Sequence, residues 1–502
     1  MIHRVIVLGG GSAGFLAALT LKKKVPELAV TVIRSKEIGI IGVGEATTVA
    51  LPKMLHGHLG FDPGEFYRRV ETTWKLGIRF LWGKRPFFDY TFGSQMDWKW
   101  SNLPKHNGYY CEDDFSFVDV PSACMSLNKA FIRNPAGEPV LVGREYGHAY
   151  HIENVKFVEY LEEKAGHLGI TILDELVEEV LQGEEGVAGL RLKNGLTKTA
   201  DLYIDCSGFR STLLGGTLKE PYTSFKTTLF NNRAVTGGWT RAADEPVQPY
   251  TTAESMAAGW CWQIDHLDRI NRGYVYSTDF ISDEDAEREF REKNPKVTST
   301  RLVKFVTGRY NRSWVKNVVA IGNSAGFVEP LESTGLAVVC DESRLLAGAL
   351  TESDRDPSPS LIDNYNRTIG REWDNIRNFL GVHFKFNQRY DTPYWRACRA
   401  DADIGAAQGV VDFYQANGPT TSGRTSVLNQ NDIFGMEGYL CLLVGQQVPY
   451  HKTREITAAE WKVWNAIRAE NRAKALTALS VPAAFEAVST PTWGWNMDWY
   501  RQ

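Results

Sequence analysis

The sequence lacks any Cys-x-x-Cys pair and any zinc-type spacing among its seven cysteines, at positions 111, 124, 206, 261, 340, 398 and 441. An odd, scattered set provides neither a disulfide framework nor a metal knot, so a reduced, cytoplasmic protein with no bound metal is expected. No stretch approaches about 18 uninterrupted apolar residues, so no membrane-spanning helix is expected. The N-terminus passes from Met1 straight into Val5–Leu8 and glycines, without the basic region, apolar region and cleavage site of a secretory signal. No unit repeats along the chain. An excess of one charge is missing too: 56 Lys+Arg against 60 Asp+Glu leave a formal charge of −4. That balance gives no electrostatic reason for nucleic acid or an anionic membrane as partner.

What is present is an ordinary globular composition, 43% hydrophobic and 23% charged over 502 residues, enriched in aromatics with 15 Trp, 20 Tyr and 24 Phe. The length suits about two to four domains, or one large fold with an insert. The chain opens as strand, turn, helix, strand: Arg4–Leu8, Gly9–Gly14, Phe15–Lys24 and Ala29–Ile33, a βαβ unit. Ile38–Thr47 is too glycine-rich for regular structure and reads as a loop that passes close to something, or as a surface turn. Trp74, Leu76, Ile78, Phe80 and Trp82 alternate with Lys75, Gly77 and Arg79 in strand periodicity. Strands follow through Ile170–Cys206, with a hairpin signal at Asn194-Gly195, and again at Val318–Ile321. Pieces of a nucleotide fold thus recur near residues 1, 200 and 320, as when one domain is assembled from separated segments. Beyond about residue 350 the sequence turns helical and polar.

Gly9-x-Gly11-x-x-Gly14, with Ser12 and Ala13 inside it, follows a strand and opens a helix, the context that a dinucleotide fingerprint requires. Gly9 makes the turn, Gly11 admits the backbone to a pyrophosphate, Gly14 lets helix and strand pack, and the helix N-terminus stabilises the anion. An acidic ribose ligand is expected after the second strand, yet Arg34 stands there and Glu37 lies slightly beyond. Two options stay open: a flavin dinucleotide held by other groups, or an NADP 2′-phosphate on Arg34.

Asp205-Cys-Ser-Gly208 and Gly322-Asn323-Ser-Ala-Gly326 resemble the second and third flavin-contacting motifs of glutathione-reductase-like flavoproteins. Ser207 stands where the aromatic hydroxylases of that superfamily carry an Asp serving nicotinamide. Gly259-Trp260-Cys-Trp262-Gln-Ile264 resembles a signature of flavin-dependent halogenases, with Asp265 in place of its final proline. Pro330-Leu-Glu-Ser-Thr-Gly335 resembles a segment of the tryptophan-halogenase-like branch. The resemblance implies an α/β, glutathione-reductase-like FAD-binding fold of Rossmann type over residues 1–350. Inserted sheet and substrate regions would lie at about 50–145 and 215–300, and a mainly helical region over 351–502 would complete the substrate site.

The same resemblance implies the roles. Lys75 and Glu332 would be catalytic. Gly9, Gly11, Ser12, Ala13, Gly14, Gly44, Glu45, Ala46, Thr47, Gly322, Asn323 and Leu331 would bind FAD, with Ile38–Thr47 as the flavin strap. Thr334 and Gly335 would bind halide, and Trp260 and Trp262 would shield the flavin. The implied enzyme takes FADH2 from a separate flavin reductase, uses O2 and chloride or bromide, and halogenates a small electron-rich aromatic such as an indole. A homodimer is among the oligomeric states left open. The residues read alone allow blander roles. Lys75 would be solvated on the polar face of a strand, and Glu332 would complement a helix N-terminus. Trp260 and Trp262 would be core aromatics, Glu45 would face solvent, and His151 would be a structural histidine opening a helix. Rival functions are a single-component FAD/NADPH aromatic monooxygenase and a flavin-binding scaffold. Around Asp432–Tyr439 no cluster matches one that would hold the polar ends of free tryptophan.

Overall fold

The computed structural model describes all residues except 40–43, 94–101, 106, 112–113, 135, 142–146, 429–431, 452–454, 491–492, 496 and 502. The apolar run Arg4–Leu8 is buried over its last four residues and lies in a six-stranded sheet, as expected for a strand covered on both faces. The order across that sheet is Thr171–Asp174, Ala29–Arg34, Arg4–Leu8, Leu202–Asp205, Val318–Ala320 and Trp314–Val315. The first five run parallel and the last antiparallel. Segments near residues 1, 200 and 320 therefore do share one sheet. Helix Ser12–Lys24 packs against helices Asn154–His167 and Gly335–Glu352.

A second, seven-stranded sheet runs Arg301–Lys304, Arg233–Thr240, Arg269–Tyr276, Gly259–Asp265, Thr251–Met256, Gly77–Leu81 and Phe88–Thr91. Period-two alternation along Gly259–Asp265 divides its faces. Trp260, Trp262 and Ile264 enter the main core, whereas Cys261 joins Tyr274 and Tyr276 beneath Phe290 of helix Asp283–Lys293.

The alternating run Trp74–Trp82 is not one strand. Thr73–Lys75 pairs with Ala149–Ile152 in a small sheet, and Gly77–Leu81 belongs to the large one. The exchange happens at Leu76, whose N–H donates to Pro249 O (2.8 Å). Glu45–Ala46, the end of the expected strap, joins the small sheet on the other edge of Ala149–Ile152. This three-stranded patch ties the strap to the lysine strand. His151 lies in its middle strand rather than opening a helix; the following helix is capped by the Glu153 carboxylate. His151 is buried and bonded to Asp265 O and Thr251 Oγ1, so it is structural by a different route.

The last third is helical, and its long helix Pro359–Phe386 runs from the surface into the core. It also closes back on earlier segments: Leu479–Ser480 pairs with Lys129–Arg133, and Asp498–Arg501 packs on residues 53–58. Among the described residues no helix is long and apolar enough to cross a membrane, and no group of three His, Cys, Asp or Glu is placed to hold a metal ion.

Candidate active site

The phosphate loop has the shape its glycines require. Gly9 adopts φ +123°, and a Cβ on Gly14 would lie 1.9 Å from Gly9 O, so strand and helix meet as closely as backbone permits. In front of Gly11 the space is open, with nothing within 4 Å of a Cβ. Gly11 is the N-cap of helix Ser12–Lys24 and offers no side chain to its first amides. An uncapped helix N-terminus facing open space is what a pyrophosphate needs. Ala13 stands beside Gly322, which has φ +68°, so the first and third motifs converge. Asn323 is exposed there and Leu331 is buried. Asp205 organises the second motif, accepting from Ser207 N, Leu213 N and Leu214 N. These residues fit the diphosphate of FAD.

The alternative of a 2′-phosphate on Arg34 does not fit. Its guanidinium is already paired with Glu162 and Asp174, and Glu37 pairs with Lys193. Of the expected strap, Ile40–Val43 lie outside the described residues. Gly44 is followed by Glu45, which does not simply face solvent: it is half-buried and accepts from Asn154 Nδ2 (2.8 Å). Thr47 locks to Tyr150 by backbone and side-chain bonds.

Lys75 is fully buried, not solvated. Its Nζ donates to Thr47 O (3.0 Å) and Ser333 Oγ (2.8 Å) and lies 5.5 Å above the Phe92 ring. Burial pushes its pKa from the ordinary 10.5 down to about 7, with Glu332 acting in the opposite direction. At neutral pH ammonium and amine are therefore both populated. Between about 7 and 10.5 the unfolded chain binds the proton that the folded chain has lost, so folding stability rises with pH there. Lys75→Met is thus expected to be more stable than the parent at pH 6, by about 1–4 kcal/mol, with the gap narrowing as pH approaches 10. Thermal unfolding across that range checks this, and a destabilised Lys75→Met at pH 6 contradicts it.

Ser333 reaches the lysine because its backbone is left-handed, φ +59°, turning the chain between the short helix Pro330–Glu332 and helix Gly335–Glu352. Thr334 caps the second helix with no side-chain bond, and Gly335 is exposed with nothing within 4 Å of a Cβ. Free amides at the positive end of a long helix suit a halide.

Glu332 Oε1 lies 2.7 Å from His383 Nε2, and both are buried. His383 Nδ1 faces Phe379 O at 3.0 Å, an atom that can only accept, so Nδ1 carries a proton. The bond to Glu332 then needs a second proton, on Nε2 or on the carboxyl. The pair holds it between them. His383 is enclosed by Phe80, Trp82 and Phe379. Neither His383 nor the role of Ser333 was signalled by a sequence motif; His383 arrives on another helix, 51 residues after Glu332.

Beside this group lie half-buried aromatics. Phe434 stacks on Phe379 (3.7 Å between centroids), and Tyr90 lies within 6.3 Å of Phe379. A Cβ on Gly438 would stand 2.6 Å from Tyr90 Oη, so the glycine lets the phenol pack directly onto the helix backbone. Trp260 and Trp262 share a face, 6.0 Å apart. Trp260 Nε1 donates to buried Glu329 (2.6 Å), a residue with no assigned part in the sequence reading; burial raises its pKa to about 7. Asp265, where the signature has proline, is buried in an ion pair with Arg241 (2.9 Å) and accepts from Gln248 N and Gln263 Nε2.

The chain is similar to known proteins over most of its length. The tryptophan halogenase family matches residues 4–460. The tryptophan 7-halogenase KtzQ of Kutzneria sp. (strain 744) is 32% identical over 83% of this chain and 82% of its own. The tryptophan 7-halogenase RebH of Lentzea aerocolonigenes is 30% identical over 88% and 89%. The crystal structure of MibH, a lathipeptide tryptophan 5-halogenase, superposes with a TM-score of 0.87 at 37% identity, covering 98% of this chain and 94% of that one. With its Rossmann-type sheet, open glycine turn and buried lysine, the chain belongs to the tryptophan halogenase family and is a flavin-dependent halogenase.

Proposed function

We propose that this enzyme is the halogenating half of a two-component system: FADH2 comes from a separate flavin reductase, O2 and chloride or bromide are consumed, and an indole ring is halogenated. The observation that carries this is the bond from buried Lys75 to Ser333, which stands in the chain between Glu332 and the open helix N-terminus at Thr334 and Gly335. When bound, reduced flavin with oxygen supplies the oxidising power that turns halide into hypohalous acid. Trp260 and Trp262 wall that region from the acceptor.

The protein's own groups complete the substitution. Lys75, anchored by Thr47 O and Ser333 Oγ, retains one N–H of its ammonium for the oxidant's oxygen and gives its proton as that oxygen leaves as water. The halogen enters at one ring carbon and Glu332 removes the proton from the same carbon. Tyr90, Phe92 and Phe434 offer faces for the ring.

The acceptor favoured is a tryptophan within a peptide. MibH, whose name carries a lathipeptide tryptophan, aligns over nearly the whole chain. Polar side chains at the far end of the aromatic pocket are occupied among themselves: Glu437 pairs with Arg424, and Asp432 accepts from Phe434 N, Gly435 N and Tyr439 Oη. Among the described residues there, neither carboxylate is left over for the ammonium of free tryptophan. Mass spectrometry of reactions with FAD, an unrelated flavin reductase, NADH, air and halide tests the function. A halogen isotope pattern on a tryptophan peptide is expected; a hydroxylated product would move the assignment to a monooxygenase.

A further inference from the structure

Away from the lysine, a cleft of about 790 Å³ runs between the C-terminal end of helix Ser12–Lys24, residues 57–59, helix Gly335–Glu352 and helix Pro359–Phe386. We propose that this cleft binds an acidic segment of the peptide whose tryptophan enters the aromatic pocket, a reading that rests on the peptide acceptor argued above.

Three observations converge. The first is continuity. Asn375 and Ile433 line one end of the cleft. One helical turn beyond Asn375 is Phe379, and the residue after Ile433 is Phe434; these are the two stacked rings of the aromatic pocket. From Asn375 back to Leu361, which also lines the cleft, the helix rises about 21 Å, the span of about six extended residues.

The second is charge. Lys23, Lys24 and Arg371 line the cleft, are exposed, and have no ion-pair partner among the described residues, whereas Glu352 is the one lining carboxylate outside the pair described next. Arg344 is shared with Asp341 (3.4 Å). The positive field is felt by His58, whose pKa is lowered first by burial and then by Arg344 and Lys24. The third is an unmet acceptor. Glu372 Oε1 is buried without a hydrogen-bond partner. Burial and the neighbouring Asp341 raise the pKa of Glu372, so this carboxyl adds little negative charge against an acidic ligand. Lysines and arginine call for side-chain carboxylates, and a buried carboxyl oxygen calls for an N–H. An acidic peptide strand supplies both along one backbone.

The test compares free tryptophan with synthetic peptides holding one tryptophan next to six residues of Glu, Gln or Lys, on either side, using the parent enzyme and K24E/R371E. kcat/KM is read by mass spectrometry at low and high salt, and binding by fluorescence anisotropy of the labelled peptides. The Glu peptide should be preferred over the Gln peptide by about tenfold at low salt. The double variant should lose that preference while halogenating the Gln peptide at the parental rate. Equal use of all three peptides, or a preference that survives in K24E/R371E, overturns the cleft assignment alone. Halogenation of free tryptophan but of no peptide overturns the peptide acceptor and this proposal with it. Halogenation of nothing overturns the function itself.

Discussion

Lys75→Ala should lose halogenation by about a thousandfold or more while binding FAD as tightly as the parent. The lysine is fully buried, and two N–H bonds hold it in place, to Thr47 O and Ser333 Oγ. A charged donor fixed in a water-poor site acts on the developing negative charge of the departing oxygen without first having to reorganise. Alanine removes that donor and leaves only open space. The flavin cradle at Gly9–Gly14 is built from other elements and should not respond. A fluorescence titration of FAD and product mass spectrometry separate the two effects. In the proposed mechanism the ammonium gives the proton, so kcat should fall as pH rises through about 7, the value to which burial lowers this group. Product formed by Lys75→Ala at more than about a tenth of the parental rate would remove the lysine from the mechanism.

Local features of the fold could be read without coordinates, and distant pairings could not. The βαβ opening and the glycine turn were legible because turn, cap and close approach are all set within Arg4–Ile33. Period two found the buried face of Trp74–Trp82, but periodicity says nothing about which neighbour a strand pairs with, so the exchange of sheets at Leu76 was hidden. The same limit made Lys75 look solvated: its own alternation put it on a polar face, while the chain that buries it comes from Ala149–Ile152 and from Ser333. Arg34 looked free for a phosphate because Glu162 and Asp174 are more than a hundred residues away. Asp265 departs from a proline pattern, and only Arg241 beside it shows how its charge is balanced. Ser333 lies within a recognised segment, yet its left-handed backbone, which aims the hydroxyl at the lysine, leaves no trace in residue type.

Glu332→Gln should slow halogenation by about 10²–10⁴-fold without changing which ring position is substituted. The amide keeps the shape and can donate to His383 Nε2 in the neutral tautomer that the Phe379 carbonyl enforces, so the fold should persist. What it cannot do is accept the proton from the ring carbon. In the proposed arrangement the position of attack is set by how the ring sits against Lys75 and the aromatic faces, which the change leaves alone. His383 gives the finer test, since it touches Glu332 and not the ring. In the parent its Nε2 lies 2.7 Å from Glu332 Oε1 and fixes the carboxyl in a site lined by Phe80, Trp82 and Phe379. His383→Phe removes that partner and leaves the carboxyl oxygen unheld in an apolar surrounding. kcat should therefore fall by about tenfold or more, with KM for the acceptor little changed, and His383→Gln, whose amide can donate to the same oxygen, should recover part of the loss. A His383→Phe variant with the parental kcat would show that the imidazole merely fills space, and equal losses in His383→Phe and His383→Gln would show that the hydrogen bond to Glu332 is not what the reaction needs.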